Sequence, residues 1–224
     1  MVFDCDGLLI DSTAAWAQAF SKSAEAFGYQ LKPSDQHSLL GSSVLSGAAI
    51  ISGLTGAPVQ ELQGIIADRL SAIVDDAPPP SLPGATTLIG ELHRHMPLAV
   101  ASNGPAEVVK LMLDHAGLLD AFETVCTAAE AGAAKPDPAV YLTACEHVGA
   151  EPELSYGFED SAVGAEAVLA AGMTLVVIGT PTCELPPTAI TAQRLDEERI
   201  TELIVGSRGS RGSRGSRGSG DRSR

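Results

Sequence analysis

Cysteine, lysine and aromatic side chains are all scarce in this chain, and each shortage narrows what it can be. The four cysteines, Cys5, Cys126, Cys145 and Cys183, lie far apart and form no CxxC pair. Neither a zinc site nor a disulfide framework is indicated, and a reducing cytoplasm suits such usage. No apolar run reaches the roughly 18 residues of a membrane span, and no basic leader precedes an apolar stretch at the start. The expectation is a soluble, unexported, cytoplasmic protein that does not use a membrane. Positive charge is short as well: 14 basic residues face 28 acidic ones, and six of the 14 fall in the last 19 residues. Residues 1–205 are left with eight basic against 27 acidic side chains, a net of −19. A body that acidic repels phosphate backbones, which argues against its binding nucleic acid.

Those last residues, GSRGSRGSRGSRGSGDRSR (206–224), contain no apolar side chain. They cannot bury enough surface to offset the entropy of ordering, so a disordered tail is expected there. Its arginines could meet RNA or an acidic partner, and a solvated extension without a role is the plainer reading. The rest is ordinary globular material. At 224 residues and 45% hydrophobic, the chain can build one sizeable core and a small accessory domain.

Short apolar runs recur at MVFD (1–4), LAVASN (98–103), TVCTA (124–128), SYGFED (155–160) and TLVVIG (174–179). Between the later ones lie PAEVVKLMLDHAGL (105–118) and SAVGAEAVLAAG (161–172), with apolar residues three and four apart and glycine at the end. Strand alternating with helix predicts an α/β fold, a doubly wound parallel sheet with helices on both faces. Ligands of such sheets sit outside the carboxyl ends of the strands. One interval breaks the rhythm, because nearly a hundred residues separate the first strand from the second. It carries helical signals over 12–28 and 58–75 with weaker ones between, then DDAPPPSLPG (75–84), which reads as a stiff linker. Residues 13–80 are therefore expected to form a helical subdomain inserted into an α/β core made of 1–12 and 81–205.

Four polar clusters fall at the ends of the predicted strands or in their exit loops. Asp4 and Asp6 flank Cys5 and precede Gly7; Ser102, Asn103 and Gly104 follow the second strand; Lys135 opens KPDP (135–138); Glu159 and Asp160 close the fourth. Each has a plain reading: turn chemistry for Asp6-Gly7, a helix cap for Ser102-Asn103, a solvated lysine, a solvated acidic turn. Their convergence on one edge of one sheet favours another. A carboxylate nucleophile, a proton carrier, hydroxyl and amide donors, one ammonium and paired acids for a hard cation describe metal-assisted phosphoryl transfer.

DCDGLLIDS, SNG, KPDP and GFEDS resemble the four motifs of the haloacid dehalogenase superfamily over roughly residues 2–180. The resemblance is to the branch with a helical cap after the first motif, which includes β-phosphoglucomutase and phosphoglycolate phosphatase. It implies Asp4 as the nucleophile that becomes an aspartyl-phosphate, and Asp6 as the general acid/base. It implies phosphoryl binding by Ser102, Asn103 and Lys135, and Mg²⁺ held by Asp4, the backbone carbonyl of Asp6 and Asp160, with Glu159 acting through water. Because a halide needs no proton, the second aspartate disfavours dehalogenation. The implied activity is a Mg²⁺-dependent phosphatase for a small phosphorylated metabolite, a sugar phosphate or a phosphoglycolate-like acid. A phosphomutase and a catalytically silent phospho-ligand binder are the alternatives.

The chain departs from that pattern in three places. Only Met1, Val2 and Phe3 precede Asp4, so either the native start lies upstream or the central strand is weak. In the cap, the mutase branch resembles a pattern with a basic residue or histidine on the first helix and an arginine after a central glycine. Here stand Trp16 and Gly41-Ser42-Ser43, and Lys22, Lys32 and Arg69 are the only formal cations between 13 and 80. Such a cap would repel a second phosphate, so hydrolysis is favoured over transfer. Trp16 reads as a core residue or a stacking surface for substrate, Asp11-Ser12 as a helix cap, and His93 and His95 as surface residues at a helix end.

Overall fold

A computed structural model describes residues 1–180, 184–197 and 200; the predicted tail, 206–224, and Cys183 lie outside the described residues. The sheet has six strands, β1 (Val2–Phe3), β2 (Ala99–Ser102), β3 (Thr124–Thr127), β4 (Tyr156–Glu159), β5 (Thr174–Ile178) and β6 (Ile190–Ala192). All pairings are parallel and the spatial order is β3-β2-β1-β4-β5-β6. The order reverses between β1 and β4, so the crevice for a ligand lies at the carboxyl end of β1.

Period-2 alternation divides the core between the two faces. Phe3, Val100, Phe158, Val176 and Ile178 point into one apolar cluster, and Val2, Ala99, Ala101, Leu175 and Val177 into the other. The first is covered by α5 (Ala85–Leu92) and α6 (Ala106–His115), the second by α8 (Ala139–His147) and α9 (Ala162–Ala170); the four-residue α7 (Ala128–Ala131) follows β3. Although β1 is two residues long, it is central and paired on both sides. Its ladder continues through Met1, whose carbonyl accepts from Ala99 N (2.9 Å), and Asp4, whose N–H donates to Phe158 O (3.0 Å). Phe3 is fully buried and stacks on Phe158 with centroids 4.3 Å apart. Aromatic burial of about 1.5–3 kcal/mol per ring supplies what the short ladder lacks.

Between β1 and β2 the chain forms α1 (Thr13–Glu25), α2 (Pro33–Leu39), α3 (Val44–Thr55) and α4 (Val59–Asp76) before α5. Leu62, Ile66, Leu70 and Val74 recur every fourth residue and give α4 one buried stripe. The upper half of that stripe, Leu62 and Ile66, joins Phe20, Leu31, Leu39 and Ile51 in a third apolar cluster, whereas Leu70 and Val74 enter the core beneath the sheet. The segment read as a stiff linker is instead held in place. Asp75 and Asp76 are the last turn of α4, and Ser81 bridges Ile10 through Asp11 N to Pro80 O (2.9 Å) and Leu82 N to Leu9 O (2.8 Å). The outgoing and returning chains thus stitch together where they cross. The strand β6 and the helix α7 had no clear sequence signal, being short and at the sheet's edge or in a connection. No helix among the described residues is long and apolar enough to cross a membrane.

Candidate functional site

Asp4 follows Phe3 at the carboxyl end of β1, and a tight loop turns the chain immediately after it. Leu9 N and Ile10 N both donate to Cys5 O (3.0 Å each), and Gly7 N donates to Ile10 O (2.8 Å). Gly7 has φ +86°, and a Cβ there would meet Asp160 Oδ2. Glycine is therefore required twice, by the backbone and by the neighbouring acid. The loop lets Asp4 and Asp6 face the same cavity. Cys5 between them is fully buried, and burial followed by the charges of Asp6 and Asp4 pushes its thiol well up. It stays protonated and is no nucleophile.

The structure brings Lys135 from the loop after α7 onto the first strand. Its ammonium lies 2.6 Å from Asp4 Oδ1 and 2.6 Å from Glu159 Oε1, and 4.9 Å from the centroid of the Tyr141 ring. The loop is anchored by Asn103, whose Oδ1 accepts from Lys135 N (2.9 Å), and the Lys135–Pro136 peptide is cis. Burial alone would pull the ammonium down, but Asp4 and Glu159 outweigh it and hold it above the ordinary lysine range. Lys135 is a fixed cation here.

Glu159 is completely buried. Its Oε1 accepts from Lys135 and from the Tyr141 hydroxyl (2.7 Å), and its Oε2 from Ser161 Oγ (3.0 Å) and Asp160 N (3.2 Å). Ser161 also caps α9, accepting from Gly164 N at 3.0 Å, and a Cβ at Gly164 would fall on the Glu159 carboxylate. GFEDSAVG therefore works as one unit: strand end, buried acid, helix cap and the glycine that leaves the acid room. Sequence reasoning assigned no role to Tyr141, Ser161 or Gly164, and only the Ser-x-x-Gly cap spacing hinted at one.

Asp4, Glu159 and Asp160 each offer an oxygen, and these lie within 4.8 Å of one another. The donor set is all oxygen, which suits a hard divalent cation such as Mg²⁺. Charge agrees with that fit, since among the described residues Lys135 is the one cation paired with these carboxylates. Asp4 is raised well above the usual range, chiefly by burial, with Lys135 pulling it down and Glu159, Asp160 and Asp6 pushing it up. Asp160 is pushed up to about 7, by burial and then by Glu159. With both Glu159 oxygens already engaged by donors, Asp4 and Asp160 are the freer pair.

Asp6 is held by three donors from three segments. Ser12 Oγ (2.6 Å) and Trp16 Nε1 (2.7 Å) donate to Oδ1, and Ser102 Oγ (3.0 Å) to Oδ2. One expectation changes here, for Ser12, and Ser102 has bonded partners of its own. Ser12 stands at the N-cap of α1 but makes no side-chain cap bond; its hydroxyl serves Asp6. Ser102 is fully buried and absent from the cavity wall, bonded to Asp6 and to Gly104 N (2.9 Å), while Asn103 and Lys135 do line the cavity. Trp16 was weighed as core or stacking surface and not as a donor. The signal was its place one helical turn after Ser12, which sends a long side chain back toward the helix start. The cavity measures about 740 Å³, and its lining includes the charged Asp4, Asp6, Lys135 and Asp160 and the apolar Trp16, Phe20, Leu31, Leu39 and Leu40.

Among curated proteins, the chain is 29% identical over 181 residues to validoxylamine A 7'-phosphate phosphatase of Streptomyces hygroscopicus subsp. limoneus, covering 80% of this chain and 84% of that one. It is 29% identical over 193 residues to hexitol phosphatase A of Escherichia coli, covering 80% and 82%. Its fold is similar to that of β-phosphoglucomutase from Clostridium difficile, with a TM-score of 0.78 and 21% identity over 93% of this chain and 97% of that one. The model of haloacid dehalogenase-like hydrolases matches residues 1–178, from the central strand through β5. All four ordered motifs lie inside that match, and the chain belongs to the haloacid dehalogenase-like hydrolase family.

Proposed function

We propose that this protein is a Mg²⁺-dependent phosphatase that hydrolyses a small sugar or polyol phosphate through an aspartyl-phosphate on Asp4. Its broader class, a phosphoric monoester hydrolase of the sugar-phosphate type, follows from the family and its phosphatase relatives. The observation that carries the finer reading is the Asp4 carboxylate at the cavity wall, bonded to the buried Lys135 and next to Asp160.

Asp4 attacks phosphorus, the ester P–O bond breaks, and the leaving alcohol takes a proton from Asp6. Water then attacks the same phosphorus and gives its proton to Asp6, the acyl phosphate bond breaks, and inorganic phosphate leaves. Lys135 offsets charge between nucleophile and phosphoryl group, Asn103 binds its oxygens, and Ser102 contributes through Asp6. Mg²⁺ would be held by Asp4, Asp160 and the carbonyl of Asp6, and bound there it would favour the ionised form of Asp4 and offset phosphoryl charge. Residues 13–80 act as the cap that supplies the leaving-group wall. Lys22, Lys32 and Arg69 do not line the cavity, which favours hydrolysis over transfer to a second phosphate-bearing substrate.

Phosphate release from a panel of hexitol, hexose and glycolate phosphates is expected to need Mg²⁺ and to stop with chelator. Release that ignores chelation overturns this reading.

The acid cluster also predicts a pH signature. Asp160 titrates near ~3.9 when unfolded and about 7 when folded. A carboxyl raised on folding stabilises the native state fully below the unfolded value, and that contribution is lost as pH climbs to the folded one. Asp4 is shifted in the same direction. In chelator, Tm is expected to fall between about pH 4 and about pH 7, and Mg²⁺ should restore it at the upper end by binding the ionised pair. A flat or rising Tm in chelator, or no gain from Mg²⁺, contradicts this.

A further inference from the structure

We propose that Trp16 is a positioning residue for proton transfer by Asp6: its indole N–H keeps Oδ1 as an acceptor and so assigns the transferable proton to Oδ2. The proposal rests on the phosphatase reading above. Its geometric basis is independent of that reading, in the three hydrogen bonds to Asp6 and in the chemistry of their donors.

Ser12 and Ser102 are hydroxyls, and a hydroxyl can rotate to donate or to accept. When Asp6 carries a proton on Oδ2, Ser102 can reverse and take a bond from it. Indole has one N–H and no acceptor. It lies 2.7 Å from Oδ1, and because the carbonyl oxygen of a protonated carboxyl accepts better than its hydroxyl oxygen, the indole favours Oδ1 as the accepting atom in both protonation states. Oδ2, bonded among the described residues only to Ser102, is the oxygen left to carry the proton and pass it on. With Ser12 alone on Oδ1, nothing would distinguish the two oxygens and the carboxyl could present either one.

Packing holds the indole where this requires. Trp16 is half-buried on α1, with its ring 5.4 Å from that of Phe20 and tilted 34° to it. It touches the core cluster below and the helical cluster above. The same ring lines the cavity, so the side chain that meets the leaving group also orients the acid that protonates it.

The test exploits leaving-group chemistry. Release of p-nitrophenolate needs no proton, whereas release of a hexitol alkoxide does, and kcat/KM reports the steps through leaving-group departure. Trp16→Phe keeps the ring and removes the N–H. It is expected to lower the ratio of kcat/KM for sorbitol 6-phosphate to kcat/KM for p-nitrophenyl phosphate about tenfold or more, with a thermal melt as the folding control. In an Asp6→Asn background the same substitution should leave the ratio of the two esters unchanged, because the group it orients is gone. Equal losses on both esters, no loss on either, or a further change in the ratio in the Asp6→Asn background would each overturn the proposal alone. Absence of turnover of both esters by the unaltered protein would remove the phosphatase reading, and the proposal with it.

Discussion

Asp4→Asn is expected to abolish phosphate release, with kcat down by on the order of 10⁴-fold or more, while the folded protein becomes more stable in chelator above neutral pH. The two effects share one cause. Asp4 is held above its usual range by burial, and Glu159, Asp160 and Asp6 add repulsion that Lys135 only partly offsets. Asparagine keeps the shape, and its Oδ1 can still accept from Lys135, but it carries no charge to desolvate and no anion to attack phosphorus. The measurements are phosphate release and a thermal melt above neutral pH, the side on which the buried charge of Asp4 costs more. Residual activity within tenfold of the parent would remove Asp4 as the nucleophile, and a lower Tm would show that its bond to Lys135 outweighs its burial.

Replacing Lys135 should act in the opposite direction on stability and the same direction on activity. Lys135 is 7% exposed and sits between Asp4 and Glu159. Methionine there fills similar volume but leaves the carboxylates buried without their cation. Breaking a buried pair from one side costs about 3–5 kcal/mol, on the order of 10 °C in Tm for a chain of this size. Because the orphaned acids can take protons instead, the loss should be smaller at acid pH than above neutrality. The double variant Lys135→Met with Glu159→Gln is expected to recover much of the stability and none of the activity. Glutamine can still accept from Tyr141, and one of the orphaned charges is gone. No recovery in the double variant would show that Glu159 is not the main source of strain.

Much of the fold was legible because its signals are local. The five apolar runs match β1 to β5, and LAVASN and TLVVIG announce strands buried on both faces. Helical periodicity marked α1, α4, α6 and α9. What escaped was short or edge-bound, as with β6, or depended on a segment distant in sequence. DDAPPPSLPG has the proline content of a rigid spacer, and its backbone bonds to Leu9 and Asp11 are invisible until the two crossings stand side by side.

The candidate site divides along the same line. By itself, the sequence determined which chemical groups the strand ends carry: two aspartates around Cys5, a hydroxyl and an amide at 102–103, one scarce lysine and an acid pair at 159–160. Family, sheet and phosphoryl chemistry follow from their order. Only the tertiary structure decided what each group is bonded to. It set Lys135 on Asp4 across 131 positions and Ser102 on Asp6 across 96, engaged both oxygens of Glu159 with donors, and turned Trp16 from a packing residue into a donor on the acid. The reason is physical. Spacing along a strand or helix fixes a side chain's direction over a turn or two, whereas a buried hydrogen bond depends on which segments the two apolar faces of the sheet bring together.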